Sequence, residues 1–225
     1  MENLIKFMIS LSIITAVLLL LVVIAVLIHY FRTRAMAEKL LKSGKRDGSF
    51  VYNLLKTSFP SGRLFKQVAL PYFLPDGTVK RVPCDLLLVD QGGVFVIRVK
   101  NMSGAVDNAD QRVWTVKNQN GVIEMHNPFE QNRPALKAVE NILKRESVYN
   151  VPLYNLVVFS GKKVAFRVRS EKLLSAERLI ETIRDMNRNK FLNAGEMAAT
   201  VGAIRRYLPA PDKARQAPPA SEQQA

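Results

Sequence analysis

The hydrophobic positions of the chain begin with one long unbroken run. Residues 7–28 carry no charge and are almost all Leu, Ile, Val, Ala, Met or Phe. Because about 20 such residues in a helix cross about 30 Å of hydrocarbon, residues 1–30 are predicted to form one transmembrane helix. A cleaved signal peptide is the alternative, but its apolar region spans only about 7–15 residues before a small-residue cleavage site. Here residues 29–32 are His-Tyr-Phe-Arg, which favours an uncleaved anchor.

Beyond residue 46 the pattern changes to short alternating segments and amphipathic stretches. Residues 47–150 are predicted to form a domain core, and residues 151–208 to complete it. Residues 209–225 are rich in Pro and Ala and have too little apolar surface to fold, so we expect a disordered tail. Periodicity predicts helices at 47–57, 132–149, 175–187 and 194–208, and strands at 65–74, 84–89, 94–101, 112–117, 122–126, 153–160 and 163–168.

This order of elements indicates an α/β domain built around a mixed sheet that is flanked by helices. Pro71 and Pro75 make the first strand an edge or bulged strand, because proline cannot donate to a sheet. Trp114 and Cys84 lie among strand apolars, and both are expected to be buried core residues.

Two of the most apolar strands are separated by a turn sequence. Residues 84–89 and 94–101 are joined by Asp-Gln-Gly-Gly at 90–93, which is typical of a β-hairpin. Side chains of a strand alternate between its two faces, so Arg98 and Lys100 share one face.

The register of this hairpin determines which residues meet. If Val89 pairs with Val94 across the turn, Asp85 lies opposite Arg98. Asp85, Arg98 and Lys100 are therefore predicted to converge on one face of the sheet.

The charges of the chain indicate where it resides and what it contacts. Lys and Arg residues cluster after the first apolar run, at residues 31–46, and such clusters stay on the cytoplasmic side of a membrane. The protein is therefore predicted to be single-pass in the inner or plasma membrane, with a cytoplasmic C-terminal domain. The formal charge of +14 indicates an anionic partner. Nucleic acid and the inner-leaflet lipid surface both fit, and for residues 31–46 a role in topology or lipid contact is favoured.

Six pieces of sequence carry a family resemblance. They are Gly48, residues 84–89 (CDLLLV), 93–101 (GVFVIRVKN), 103–104 (SG), 114–115 (WT) and 127–132 (NPFEQN). In this order they resemble the nuclease-related domain family, called NERD. The resemblance implies a restriction-endonuclease-like fold, and such domains often stand beside a transmembrane helix in bacteria. It also implies a Mg²⁺-dependent site with an acid in the first helix, an Asp on the second strand and Glu-x-Lys on the third.

Carried over to this chain, the implied site is incomplete. Asp85 matches the strand Asp and Lys100 matches the Lys, whereas Arg98 stands at the position of the Glu. Ser49 stands where the helix acid is expected. Two of the three expected carboxylates are therefore absent, and Asp85 is the one matching metal ligand that remains.

An arginine at this position opposes metal binding. A guanidinium cannot be deprotonated near physiological pH. Two like charges 4 Å apart repel by about 4 kcal/mol at an effective dielectric of about 20, and a divalent ion doubles that figure. No resident cofactor is therefore expected. Mg²⁺ is expected only if the protein is an active nuclease.

Two further residues and several carboxylates are candidates for the site. The resemblance implies that Gln131 and Asn132 line it, although Asn132 is also a plausible cap for the helix that follows. A ligand relocated to a neighbouring element is the other possibility. The candidates are Asp90, Glu124, Glu130 and Gln131.

Three hypotheses follow. The first is a catalytically degenerate, membrane-anchored NERD-like protein that binds nucleic acid, anionic lipid or a protein partner. The second is an active metal-dependent nuclease with a relocated carboxylate. The third is a purely structural membrane module whose charge serves topology and lipid contact.

Overall fold

The structure is a computed structural model that describes residues 2–42, 46, 49–107, 112–167, 170 and 172–208. It divides into two compact units, Met1–Ser43 and Gly44–Ala225. The predicted tail at 209–225 and the helix start at Asp47 lie outside the described residues.

The first unit is a single helix, α1 (Glu2–Lys42). It contains the stretch Ile14–Lys39, which is long and apolar enough to cross a membrane by length and composition. The side chains described from residue 14 to residue 32 are all exposed. A helix is therefore present where one was predicted, and it continues beyond residue 30 to Lys42. That residues 1–30 span a membrane stays a prediction.

The second unit has an α/β architecture. Its elements in chain order are α2 (Phe50–Ser58), β1 (Arg63–Phe73), β2 (Val79–Asp90), β3 (Gly93–Lys100), β4 (Gly104–Asp107), β5 (Val113–Asn118), β6 (Gly121–His126), α3 (Pro128–Arg145), β7 (Leu153–Phe159), β8 (Val164–Phe166), β9 (Leu173–Ser175), α4 (Ala176–Asn187) and α5 (Ala194–Tyr207). The predicted fold class is confirmed. The structure has two sheets where one mixed sheet was expected. The short strands β4, in the smaller sheet, and β9, in the larger, were not predicted.

The larger sheet has the order β1-β2-β3-β7-β9. Strands β1, β2 and β3 are antiparallel, whereas β3, β7 and β9 run parallel, so the sheet is mixed. Strand β1 lies at its edge, as its prolines predicted. Residues 93–97 of β3 are all buried, which is the pattern of a strand covered on both faces. One of these faces packs against α3 and α5 through a cluster that includes Val94, Val96, Val139 and Ile204.

The smaller sheet has the order β6-β5-β4-β8. Its core residues Val106, Trp114 and Val116 pack against Val157 and Phe159 of β7. Trp114 is 2 % exposed and Cys84 is 1 % exposed, so both are core residues as predicted.

Helix α3 begins four residues earlier than predicted. Asn127 is its N-cap and accepts a hydrogen bond from the backbone N–H of Phe129, and Pro128 occupies the first turn. Proline is favoured there because its missing N–H would have no partner in the helix. The prediction that Asn132 caps this helix is wrong, since Asn132 lies inside it.

Arg46 belongs to the second unit by its contacts. Its Nη1 donates to the carbonyls of Ser160 (3.2 Å) and Gly161 (2.6 Å), and its Nη2 contacts Glu177. The guanidinium also lies over the ring of Phe50, 5.1 Å from its centroid. Arg46 was grouped with the basic segment 31–46, but its side chain is only 10 % exposed and ties α2 to the end of β7 and to α4.

Replacing Arg46 should destabilise the second unit. Arg46→Gln removes the charge and the guanidinium, which donates hydrogen bonds to the carbonyls of Ser160 and Gly161. We expect the free energy of unfolding to fall by about 2 kcal/mol, the usual scale for hydrogen bonds from a charged donor. Urea unfolding of the full chain in detergent, followed by Trp114 fluorescence, measures the change. Arg178→Gln removes the same charge from an exposed position of α4 and should change the stability by less than about 0.5 kcal/mol.

Candidate functional site

The site begins where the pairing of β2 with β3 ends. Val89 pairs with Val94, as predicted, and the last pair of the ladder is Leu86 with Ile97. One position further, the Nη1 of Arg98 lies 3.2 Å from the Oδ1 of Asp85. The predicted convergence of these two side chains is therefore present.

The second oxygen of Asp85 is also engaged. Its Oδ2 accepts a hydrogen bond of 2.9 Å from the backbone N–H of Val99. The carboxylate thus continues the contact between β2 and β3 after the regular ladder has stopped. The side chains of Asp85 and Arg98 are 29 % and 20 % exposed, so the ion pair is largely sheltered from solvent.

Strand β2 is irregular at the level of Asp85. Cys84 and Leu87 contact the same core cluster although they are three positions apart, so the normal alternation of faces is interrupted between them. On the neighbouring β1, Gln67 adopts a positive φ of 48°. Burial raises the pKa of the Cys84 thiol to about 12, so this residue remains a neutral core thiol near neutral pH.

Lys100 shares the face of Arg98 and contacts α3. Its Nζ donates to the Oε1 of Gln131 at 2.8 Å. Burial lowers the pKa of Lys100, and the neighbouring Arg98 cation lowers it further, while Asp85 acts in the opposite direction. The structure therefore brings together Asp85, Arg98, Lys100 and Gln131, as the sequence predicted.

Asn132 is placed differently from its neighbour Gln131. It is 1 % exposed, and its Nδ2 donates to the carbonyl of Val96 (2.9 Å) and to the Oδ1 of Asn155 (2.8 Å). Asn155 in turn donates to the carbonyl of Phe129 at 3.1 Å. These bonds join α3 to β3 and β7, so the contacts of Asn132 are structural, and its role in lining the site stays a prediction. Asn155 was missed, although an Asn inside an apolar strand is a signal for such a role.

Ser49, which stands where the family's helix acid is expected, also contacts a cation. Ser49 is the N-cap of α2, and its Oγ accepts a hydrogen bond of 2.7 Å from the Nζ of Lys66 on β1. Lys66 lies 5.4 Å from the ring centroid of Tyr52. Sequence reasoning missed Lys66 because nothing local to β1 shows that it meets α2.

The candidate relocated carboxylates do not gather around Asp85. Asp90 lies at the other end of β2, where it accepts hydrogen bonds from the N–H of Gln91 and the Nδ2 of Asn187. Glu130 is paired with Arg133, and Glu124 is exposed on β6.

The donor set does not fit a magnesium ion. Among the described residues, no three His, Cys, Asp or Glu side chains form a group that could hold a metal. Mg²⁺ requires oxygen ligands in near-octahedral geometry. Both oxygens of Asp85 already have partners, and one of those partners is a cation.

Comparison with known families agrees with this arrangement of elements. The family model described as the nuclease-related domain matches residues 43–160, just over half of the chain. The chain belongs to the nuclease-related domain (NERD) family. No curated protein and no solved structure gives a significant match.

The NERD match contains every residue of the candidate site. It ends at residue 160, just past β7, so it is longer than the stretch from Gly48 to residue 132 that contains the motifs. Helices α4 and α5 follow the matched region.

Asp85 and Arg98 should be energetically coupled. In a double-mutant cycle, Asp85→Asn keeps an acceptor for the N–H of Val99, and Arg98→Met keeps the aliphatic stem. We expect a coupling of about 1–2 kcal/mol in unfolding free energy, more than a fully exposed pair supplies. The exposed pair Arg188–Asp185, with side chains 81 % and 62 % exposed, is the control and should couple weakly. Equal coupling in the two cycles would contradict a sheltered ion pair.

The pKa of Lys100 should shift in opposite directions when Arg98 and Asp85 are replaced one at a time. Arg98→Met removes the cation and leaves Asp85 alone, so the pKa should rise toward the ordinary 10.5. Asp85→Asn removes the stabilising anion, so the pKa should fall further. The pH dependence of Lys100 acetylation in the full chain, followed by mass spectrometry, measures both shifts, with exposed Lys137 as the internal reference. Shifts of the same sign in both variants would exclude this electrostatic account.

Proposed function

We propose that this NERD family member is anchored in the cell membrane by α1 and binds nucleic acid at a degenerate nuclease site without cutting it. The observation that carries the proposal is the guanidinium of Arg98, 3.2 Å from the one carboxylate expected to bind metal.

The chemistry of this pair opposes hydrolysis. A metal-dependent nuclease needs the ion to activate water and to neutralise charge on the phosphate. A divalent cation beside Asp85 would be repelled by Arg98, at about 8 kcal/mol for 4 Å and an effective dielectric of about 20. The N–H of Val99 holds the second oxygen of Asp85, so ligation would also break a backbone contact.

The same arrangement favours an anion. Asp85 balances the charge of Arg98, whereas the partner of Lys100 is the neutral amide of Gln131. A guanidinium has five N–H donors in a planar fork that matches phosphate oxygens. Arg98 and Lys100, held on β3, can therefore bind a phosphate group without a metal ion.

Membrane anchoring rests on α1 and on the charges that follow it. The stretch Ile14–Lys39 has the length and apolar character of a membrane span. The cluster of Lys and Arg after residue 31 supports a cytoplasmic location of the NERD domain, because positive residues stay on that side of a membrane.

The full chain in detergent should bind single strands and leave them intact. We expect labelled DNA or RNA of about 12 nucleotides, within the usual site size, to bind with an affinity that falls as salt rises. Neither Mg²⁺ nor Mn²⁺ should produce cleavage. Lys100→Gln should reduce the salt slope by about 0.7, the value for one phosphate contact on a single strand. Fluorescence anisotropy and gel electrophoresis measure the two properties.

The controls separate the three hypotheses. Lys137→Gln removes an equal charge from the exposed face of α3 and should leave the slope unchanged. Cleavage that disappears in Asp85→Ala would establish an active nuclease with a relocated ligand. Absence of any nucleic-acid binding would favour the structural membrane module. In the converse experiment, Arg98→Glu restores the family's acid, and calorimetry should then detect Mn²⁺ binding that the unaltered chain lacks.

A further inference from the structure

A cavity of about 550 Å³ is lined in part by the residues that directly follow Lys100 in the chain. It is lined by three loops, residues 101–104, 118–120 and 162–163, together with Ile123 of β6. The first loop follows directly after Lys100, so the cavity begins one residue beyond the cation proposed to contact phosphate. Its volume is within the range of small-molecule pockets.

The polar groups of the cavity suit a nucleobase and its phosphate. Asn101 and residues 118–120 (Asn-Gln-Asn) supply four carboxamide side chains, and Lys162 and Lys163 supply two cations. None of the described residues that line the cavity is acidic. The Oδ1 of Asn101 accepts a hydrogen bond from the Oγ of Ser160, and the Oδ1 of Asn118 accepts one from the backbone N–H of Asn120. These bonds orient the two amides so that their NH₂ groups can donate, while the carboxamides of Gln119 and Asn120 add both donors and acceptors of the kind that pair with the edge of a base. The lysines can neutralise a phosphate on the same nucleotide.

Two apolar side chains complete the lining. Met102 is half-buried, and Ile123 is 43 % exposed although it belongs to a folded strand. An apolar surface beside carboxamides offers contact to the flat face of a base while its edge is hydrogen-bonded. Without a ligand in the cavity, the exposed part of the Ile123 side chain contacts only water.

The walls of the cavity are held by close backbone contacts. A Cβ on Gly161 would lie 2.1 Å from the carbonyl oxygen of Met102, and a Cβ on Gly104 would lie 2.3 Å from that of Lys117. Gly104 also has a φ of +132°, and its N–H donates to the carbonyl of Lys163 at 2.7 Å. The loops therefore meet in a defined geometry, so the cavity exists before a ligand arrives.

We propose that this cavity seats one unstacked base of a single-stranded nucleic acid whose backbone passes over Lys100. The inference rests on the proposed function and adds the class of ligand, because a base within a duplex is paired and stacked and cannot enter. The candidate site then contacts phosphate, and the cavity distinguishes a single strand from a duplex.

The test compares two probes of equal length and charge, a labelled oligothymidylate and an abasic sugar-phosphate oligomer. The full chain in detergent should bind the intact oligomer about 10-fold more tightly, because the abasic oligomer lacks the hydrogen bonds and the apolar contact of one base. Ile123→Ser should remove that preference and leave the affinity for the abasic oligomer unchanged. Val122→Ser is the matched control, since Val122 is the preceding residue of β6, 55 % exposed, and does not line the cavity.

A charge variant tests the phosphate contact. Lys162→Gln with Lys163→Gln should weaken binding of both oligomers about 10-fold at low salt, because two phosphate contacts are lost. Lys137→Gln with Lys172→Gln removes the same charge from exposed positions outside the cavity and should have little effect.

The outcomes distinguish the two proposals. Equal affinity of the unaltered chain for intact and abasic oligomers, with a salt slope that still depends on Lys100, would overturn the proposal that the cavity holds a base. The proposed function would stand. An effect of Val122→Ser as large as that of Ile123→Ser would also overturn the proposal for the cavity, as would duplex binding as tight as single-strand binding. Binding of neither oligomer would remove the proposed function and this inference with it.

Discussion

The register between β2 and β3 is the constraint on which the site depends. Side chains in a strand alternate with a period of two, so a shift of one residue would move Arg98 and Lys100 to the opposite face. The short turn that pairs Val89 with Val94 excludes that shift, because residues 86–90 and 93–97 are buried on both faces and their apolar pattern alone would accept either register. The contact of Asp85 with Arg98 is therefore a consequence of the turn geometry.

The ion pair is the observation on which the proposed loss of catalysis rests. In this family member, the position expected to supply a second metal ligand supplies a permanent cation, and the first ligand is occupied by that cation and by the N–H of Val99. Ser49, at the other position expected to hold an acid, contacts Lys66. At both positions an expected acid is absent and a cation, Arg98 itself or Lys66 beside Ser49, is present. This agreement favours a surface that receives anions over one that recruits a divalent ion.

Neighbouring elements hold this surface rigid. Asn132 and Asn155 fasten α3 to the sheet beside Lys100, and Arg46 contacts Phe50 of α2, the end of β7 and Glu177 of α4. The end of β7 leads into the loop at 162–163, which lines the adjacent cavity. The candidate site, the cavity and the contacts of Arg46 therefore all involve residues at or just after the carboxyl ends of β3 and β7.

The sequence alone determined the apolar α1, the hairpin, the buried Trp114 and the convergence of Asp85 with Arg98. These features follow from local rules, namely uninterrupted hydrophobicity, turn residues and the alternation of side chains. The tertiary structure decided the features that join distant segments. The contact of Lys66 with Ser49, the hydrogen bonds of Asn132 and the attachment of Arg46 to β7 connect residues 17 to 115 positions apart. The short strands β4 and β9 are likewise strands only because a partner strand pairs with them, and four or three residues contain too little periodicity to show it.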